Sequence, residues 1–126
     1  GMVDRIVSWC RETEQPIPKT PGEVIRGVLE SLARTYADTI RHLEEITGNY
    51  YPYIHIIGGG SQNYLLCQLT ANASERQVYA GPVEATALGN LMLQAIAAGD
   101  IGSIEAGRKI IHGSSHIDKY LPKNNT

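Results

Sequence analysis

The sequence predicts an α/β fold that is rich in helices and contains about two parallel strands. Two short segments suited to strands, residues 53–57 and 77–80, each end at glycine and each precede a helical pattern. Strands that alternate with helices are typical of parallel pairing. A typical sheet has ~5 strands, and an isolated pair leaves long unpaired edges. We therefore expect either part of a larger sheet or a chain that pairs with another copy of itself.

Apolar periodicity predicts helices before, between and after these strands. They cover residues of about 3–13, 21–47, 63–73, 85–98 and 104–111. The long second helix has the strongest start, because Thr20 can cap it, Pro21 suits its first position and Glu23 completes a capping box. Its expected buried stripe consists of Ile25, Val28, Leu29, Leu32, Ala33, Tyr36, Ile40, Leu43 and Ile46.

Composition limits the possible partners. The 126 residues fit one domain of ~100–200 residues. The formal net charge is -2 and neither sign collects into a patch, so nucleic acid and anionic membrane surfaces are poor partners. With no apolar run of ~20 residues and no signal peptide, we expect a cytoplasmic protein. Cys10 and Cys67 lie among apolar positions, so we interpret both as reduced packing residues.

The chain divides into three expected parts. Residues 1–2 are the remnant of a cleaved expression tag and the start of the protein, because Gly1 precedes Met2. Residues 3–112 contain all the predicted helices and strands. Residues 113–126 begin with glycine and serines and end in lysine, asparagines and threonine, so we expect a polar tail.

One segment has the features of a phosphate or nucleotide site. The run from Gly58 to Asn63, which we call the glycine turn, has the sequence GGGSQN and joins the first strand to a helix. Glycines let a ligand approach the backbone, and amides at a helix start attract anions. A tight turn also needs glycine for steric reasons, so both interpretations stay open. The run matches neither GxxxxGK[ST] nor GxGxxG.

A second dense segment, residues 81–90, leads into the fourth helix. Glu84 and Thr86 are placed to cap that helix and Gly89 allows close packing, which favours a structural role over ligand contact. His55 alternates with apolar residues in the first strand, so we expect a solvent-side or hydrogen-bonded histidine rather than a catalytic one. We identify no catalytic residue and no metal ligand in the sequence.

Three segments in this order resemble the C-terminal domain of the FGGY carbohydrate kinase family. They are EVIRGVLESLA at 23–33, IHIIGGGSQN at 54–63 and GPVEATALGN at 81–90. The last two are most similar to the family members that phosphorylate L-rhamnulose. The resemblance covers the chain from about Val3 to Ile111.

The resemblance implies a partial ribonuclease H-like domain of the actin-like ATPase kind, in an enzyme that binds ATP and magnesium between two lobes. It implies that Gly58, Gly59 and Gly60 lie against the ribose and phosphates of ATP. Gln62 and Asn63 would border the adenine. The whole enzyme would transfer the γ-phosphate of ATP to a ketose sugar such as L-rhamnulose, with L-fuculose or another related ketose as the alternative substrate.

The length of the chain departs from the family. The family's N-terminal lobe, with its sugar site, magnesium-binding carboxylate and general base, has no counterpart here. Positioning of the reactants can supply ~7–11 kcal/mol of the barrier, so we expect this chain alone to be inactive and the ketose to bind only with the missing lobe. A non-enzymatic nucleotide-binding or assembly module and a purely structural remnant stay open as alternatives. Uncovered sheet edges and helix faces also predict a homo-oligomer.

Overall fold

The computed structural model of the chain describes residues 1–123, and the elements follow the predicted order with one strand added. None of the helices in this range is both long and apolar enough to cross a membrane. The elements are α1 Met2–Glu12, α2 Pro21–Thr47, β1 Tyr53–Ile56, a 3-10 helix Gly58–Gln62, α3 Tyr64–Ser74, β2 Gln77–Ala80, α4 Ala85–Ala98, α5 Ile104–Ser114 and β3 Asp118–Tyr120.

The ends of α2 are fixed by local sequence. Thr20 has extended backbone angles, and its hydroxyl accepts a hydrogen bond from the Glu23 amide at 3.2 Å. The Glu23 carboxylate accepts in return from the amides of Lys19 and Thr20, which completes the predicted capping box. Gly48 ends the helix in the left-handed region, with φ of 68°.

The sheet is mixed and has the order β1-β2-β3. β1 and β2 are parallel, with Ile56 opposite Ala80, as predicted. β3 is antiparallel to β2, with Tyr120 opposite Val78. The prediction of about two parallel strands therefore missed β3, which lies in the segment expected to be a polar tail. Its three residues give no periodic pattern, and residues 124–126 of that tail lie outside the described residues.

The core lies between α3 and one face of the sheet. The buried residues of this cluster come from α3 and β2, and half-buried side chains from β1 and β3 pack around them. The buried residues are Cys67, Ala71, Val78 and Ala80, and the half-buried ones are Ile54, Ile56 and Tyr120. The core thus holds β1 and β2 firmly against the helix that follows the glycine turn.

The face of α2 that packs on α3 differs from the predicted stripe. Ala33 and Ala37 are buried there, and of the predicted stripe only Ala33 is buried. The exposed members are Ile25, Val28, Leu32, Tyr36, Leu43 and Ile46. Successive helical residues are ~100° apart, so the expected stripe is centred about one residue away from the packed face. The prediction was wrong because alanines, rather than the larger apolar residues, let the two helices approach.

The helices α4 and α5 pack on each other. Gly107 of α5 lies directly against the side chain of Met92 of α4, where an added Cβ would clash. α4 has no fully buried residue, and its Leu91 is exposed. This pair therefore leaves apolar surface uncovered.

Candidate functional site

The glycine turn lies at the carboxyl end of β1 and immediately before α3. Since β1 and β2 are parallel, the segments that follow them emerge at the same edge of the sheet. In open α/β sheets, ligands bind in the crevice outside the carboxyl ends of the strands. The fold thus places the glycine turn and the segment from Gly81 where this class of protein binds its ligands.

Two backbone hydrogen bonds join these segments. The Gly81 amide donates to the Ile56 carbonyl at 2.8 Å, and the Gly58 amide donates to the Pro82 carbonyl at 3.3 Å. They extend the pairing of the parallel strands beyond their ends. This direct contact between the two dense motifs could not be predicted from the sequence, because it depends on the register of β1 with β2.

The three glycines of the turn have different environments. Gly58 has φ of 72°, which favours glycine. Gly59 and Gly60 do not have positive φ and are both exposed. A Cβ on Gly59 would meet no atom within 4 Å, and one on Gly60 would make an ordinary contact of 3.6 Å with Ile56. The fold therefore favours glycine at Gly58, through its φ, and gives no such reason for glycine at Gly59 or Gly60.

Two of the three polar residues of the turn make hydrogen bonds that stabilise the local fold, and the third is exposed. Ser61 is buried and its hydroxyl donates to the Gly58 carbonyl at 2.7 Å. The Asn63 carboxamide oxygen accepts from the Leu66 amide at 3.0 Å and so caps α3. Gln62 is exposed. Of the two expected adenine contacts, Asn63 thus has a structural role as well, which its position before the helix could have indicated.

Cys67 supports the glycine turn from inside the core. Its Sγ lies 3.8 Å from both the Gly60 and the Ser61 carbonyl oxygens. Burial, with a smaller effect from Asp118, raises the pKa of the Cys67 thiol, so the protonated donor form is favoured. Cys67 is therefore a packing residue beneath the turn, as predicted.

The neighbouring polar residues give a mixed result. Glu84 stands at the start of α4, but its side chain makes no capping hydrogen bond, so the predicted cap is wrong there. His55 is on the solvent side, as predicted, and stacks on Tyr79 with ring centroids 5.3 Å apart. Across residues 1–123 no group of three or more His, Cys, Asp or Glu side chains is placed to hold a metal ion.

A shallow groove between α2 and α3 is a separate feature. Its lining includes Arg26 and Glu30, which form an ion pair at 2.6 Å, and Asn72 near the end of α3. Asn72 is eight residues beyond Tyr64, or ~12 Å along the helix axis. The groove therefore lies at the opposite end of α3 from the glycine turn.

Comparison with known proteins confirms the family resemblance that the sequence motifs indicated. A profile of the FGGY family of carbohydrate kinases, C-terminal domain, matches residues 2–98. The chain is 43% identical to the rhamnulokinase of Ligilactobacillus salivarius over 123 residues and 45% identical to that of Bacillus subtilis over 124 residues. Each alignment covers 98% of this chain but only 25% and 26% of the relative's length. The chain thus belongs to the FGGY family of carbohydrate kinases, within its C-terminal domain and close to the rhamnulokinases.

Proposed function

We propose that this chain is the ATP-binding C-terminal portion of a carbohydrate kinase that transfers the γ-phosphate of ATP to a ketose such as L-rhamnulose. Family membership supports the kinase activity, and the name shared by the relatives supports the sugar. A ribonuclease H-like topology for the complete lobe and a cytoplasmic location belong to the same proposal.

The observation that carries this proposal is the open space beside Gly59 and Gly60. Glycine costs roughly 0.5–1 kcal/mol relative to alanine in a regular element. At these two positions the fold gains nothing in return, because φ is not positive and no neighbour would clash with a side chain. A ligand that lies against the exposed backbone explains both glycines.

The parts of the turn have distinct proposed roles. The backbone of Gly58, Gly59 and Gly60 lies along the ribose and phosphates. Gln62 borders the adenine with its whole carboxamide. Asn63 does so through its NH₂ group, since its oxygen caps α3.

We assign no metal ligand and no catalytic residue within residues 1–123. The magnesium implied by the family finds no matching side-chain cluster there, so no step of our proposal passes through it. Because the chain spans about a quarter of its relatives' length, we propose that it does not phosphorylate L-rhamnulose by itself. Phosphorylation above background by the pure chain in a coupled assay would contradict this.

Calorimetric titration with ADP tests the nucleotide site. We expect the chain to bind ADP weakly, with a Kd of about 1 mM. In Gly59→Val and Gly60→Val we expect the affinity for ADP to fall at least about tenfold, which corresponds to about 1.4 kcal/mol of binding free energy. Gly113→Val is the matched control, because Gly113 is also exposed with open space around it but lies in α5. Equal affinity in all four proteins would remove the glycine turn from the site.

A second candidate is a non-enzymatic assembly module, and the exposed apolar face of α2 favours it. We define the apolar stripe of α2 as the five residues Ile25, Val28, Leu32, Tyr36 and Leu43, all of which are exposed. We propose that a second copy of this chain covers the stripe. Most homo-oligomers close by two-fold symmetry, which lets one stripe pack on its own copy.

A further inference from the structure

The C-terminal segment of the chain returns to the sheet beyond the part that matches the family profile, which ends at residue 98. Its strand β3 pairs with β2, and Tyr120 packs on the core. Two side chains of α3 hold the end of the segment. The Gln68 Nε2 donates to the Leu121 carbonyl at 2.8 Å, and the Asn72 Oδ1 accepts from the Lys123 amide at 2.8 Å.

The other end of this segment lies against Gly81. Gly81 is buried and has φ of 113°. A Cβ added there would lie 2.6 Å from the His116 carbonyl oxygen and 3.6 Å from the Ile117 Cα. Both atoms belong to backbone, which cannot rotate away as a flexible side chain can. The contact therefore requires glycine at Gly81 on two independent grounds, its φ and its neighbours.

Gly81 thus stands between two backbones. On one side its amide donates to Ile56, the last residue of β1. On the other side it contacts His116. The carbonyl oxygen of the next residue, Pro82, accepts a hydrogen bond from the amide of Gly58 at the start of the glycine turn. A displacement of His116 would therefore reach Gly58 through a single short path of backbone contacts.

We propose that residues His116–Tyr120 form a brace that positions the glycine turn, and that Gly81 is the positioning residue through which the brace acts. The brace holds Gly81 and Pro82 at the carboxyl edge of the sheet, and they hold the Gly58 amide. Where the brace is released, the turn occupies its binding conformation for a smaller fraction of the time. Apparent affinity falls in proportion to that fraction.

The inference rests on the proposed function for its effect on nucleotide affinity, but not for its effect on the turn. Hydrogen exchange of the backbone amides, measured on the full chain without ligand, reports the turn directly. The first variant is Gly81→Ala. The second is the double variant Gln68→Ala/Asn72→Ala. It releases the C-terminal segment from α3 and changes no residue of the glycine turn or of the segment that begins at Gly81. Gly89→Ala is the control, because Gly89 lies in the same motif with open space around it.

We expect exchange at the Gly58 amide to rise about tenfold in both variants, while the buried α3 amides of Cys67 and Ala71 keep their protection. The control should match the parent chain. ADP affinity should fall about threefold or more in both variants. Should Gly81→Ala not fold, the double variant decides. An unchanged exchange rate at Gly58 in every folded variant would overturn the proposal.

The two proposals fail in different ways. If the parent chain does not bind ADP but the Gly58 amide loses protection in the variants, the brace proposal is supported and the nucleotide-site proposal is contradicted. If the parent chain binds ADP and the Gly58 amide exchanges at the same rate in all variants, the brace proposal is contradicted and the nucleotide-site proposal is supported.

Discussion

Two adjacent faces of α2 differ in how deeply their side chains are buried. Ala33 and Ala37 are 1% and 0% exposed against α3, whereas their neighbours Leu32 and Tyr36 are 38% and 37% exposed. The larger apolar side chains are thus on the less buried face. Small residues let the backbones of α2 and α3 approach, and the larger ones are left exposed. Within one helix, apolar character alone does not identify the face that packs internally.

The largest expected effect is on the packed face. Ala37→Leu adds atoms where no space exists, so we expect a loss of about 1–3 kcal/mol in the free energy of unfolding. Thr35→Leu introduces the same side chain on the exposed side of α2 and should change stability by less than about 0.5 kcal/mol. Urea denaturation of both variants measures the difference. Equal losses would mean that the two faces do not differ as described.

The second-largest effect on stability is expected for an ion pair on the same packed face of α2. The two carboxylate oxygens of Glu44 lie 2.8 and 2.7 Å from Nη2 of Arg76, and the Tyr51 amide donates to the same carboxylate at 2.9 Å. The Tyr51 amide and then the Arg76 guanidinium hold the pKa of Glu44 below its ordinary value of 4.5. The ionised side chain is therefore favoured in the folded chain.

A carboxyl whose folded pKa is lowered stabilises the fold above its unfolded pKa, and this contribution is lost as pH falls through the folded pKa. We expect Glu44→Gln to unfold at lower urea concentration than the parent chain near neutral pH. The gap should narrow as pH falls below 4.5. Glu45→Gln, on the solvent side, is the matched control. A gap of the same size at every pH would contradict the role of this carboxylate.

The smallest effect on the folded chain itself is expected at the apolar stripe of α2. Leu32→Glu/Tyr36→Glu should leave the cooperative unfolding of each copy nearly intact, because neither side chain contributes to the buried core. It should instead convert a dimer to a monomer, since a charge would be desolvated in the contact between copies. Light scattering during size exclusion measures this, with Thr35→Glu as the control outside the stripe. A monomeric parent chain at micromolar concentration would contradict self-association.

The features that the sequence predicted well depend on near neighbours. The capping box at Thr20 and Glu23 and the ends of α2 at Thr47 and of α4 at Ala98 follow from a few adjacent residues. The bounds of β2 and α4 agree with the prediction for the same reason. The glycine turn was also found from local sequence, because strand and helix patterns flank it.

The features that were missed depend on distant parts of the chain. The packed face of α2 is decided by α3, and β3 forms because β2 offers an edge to three residues with no pattern of their own. The close contact of Gly81 with His116 joins residues that are far apart in sequence. No local sequence pattern encodes these contacts, so only the structure shows that the two motifs and the C-terminal segment lie together at one edge of the sheet.

The most direct test of the central claim is a titration of the isotope-labelled chain with ADP, followed by backbone amide chemical shifts. We propose that the nucleotide lies against exposed backbone at the carboxyl edge of the sheet. The largest shift changes are therefore expected in the glycine turn, Gly58–Asn63, with smaller ones at Gly81. Saturable changes centred on the groove near Arg26 and Asn72, with the glycine amides unmoved, would contradict it.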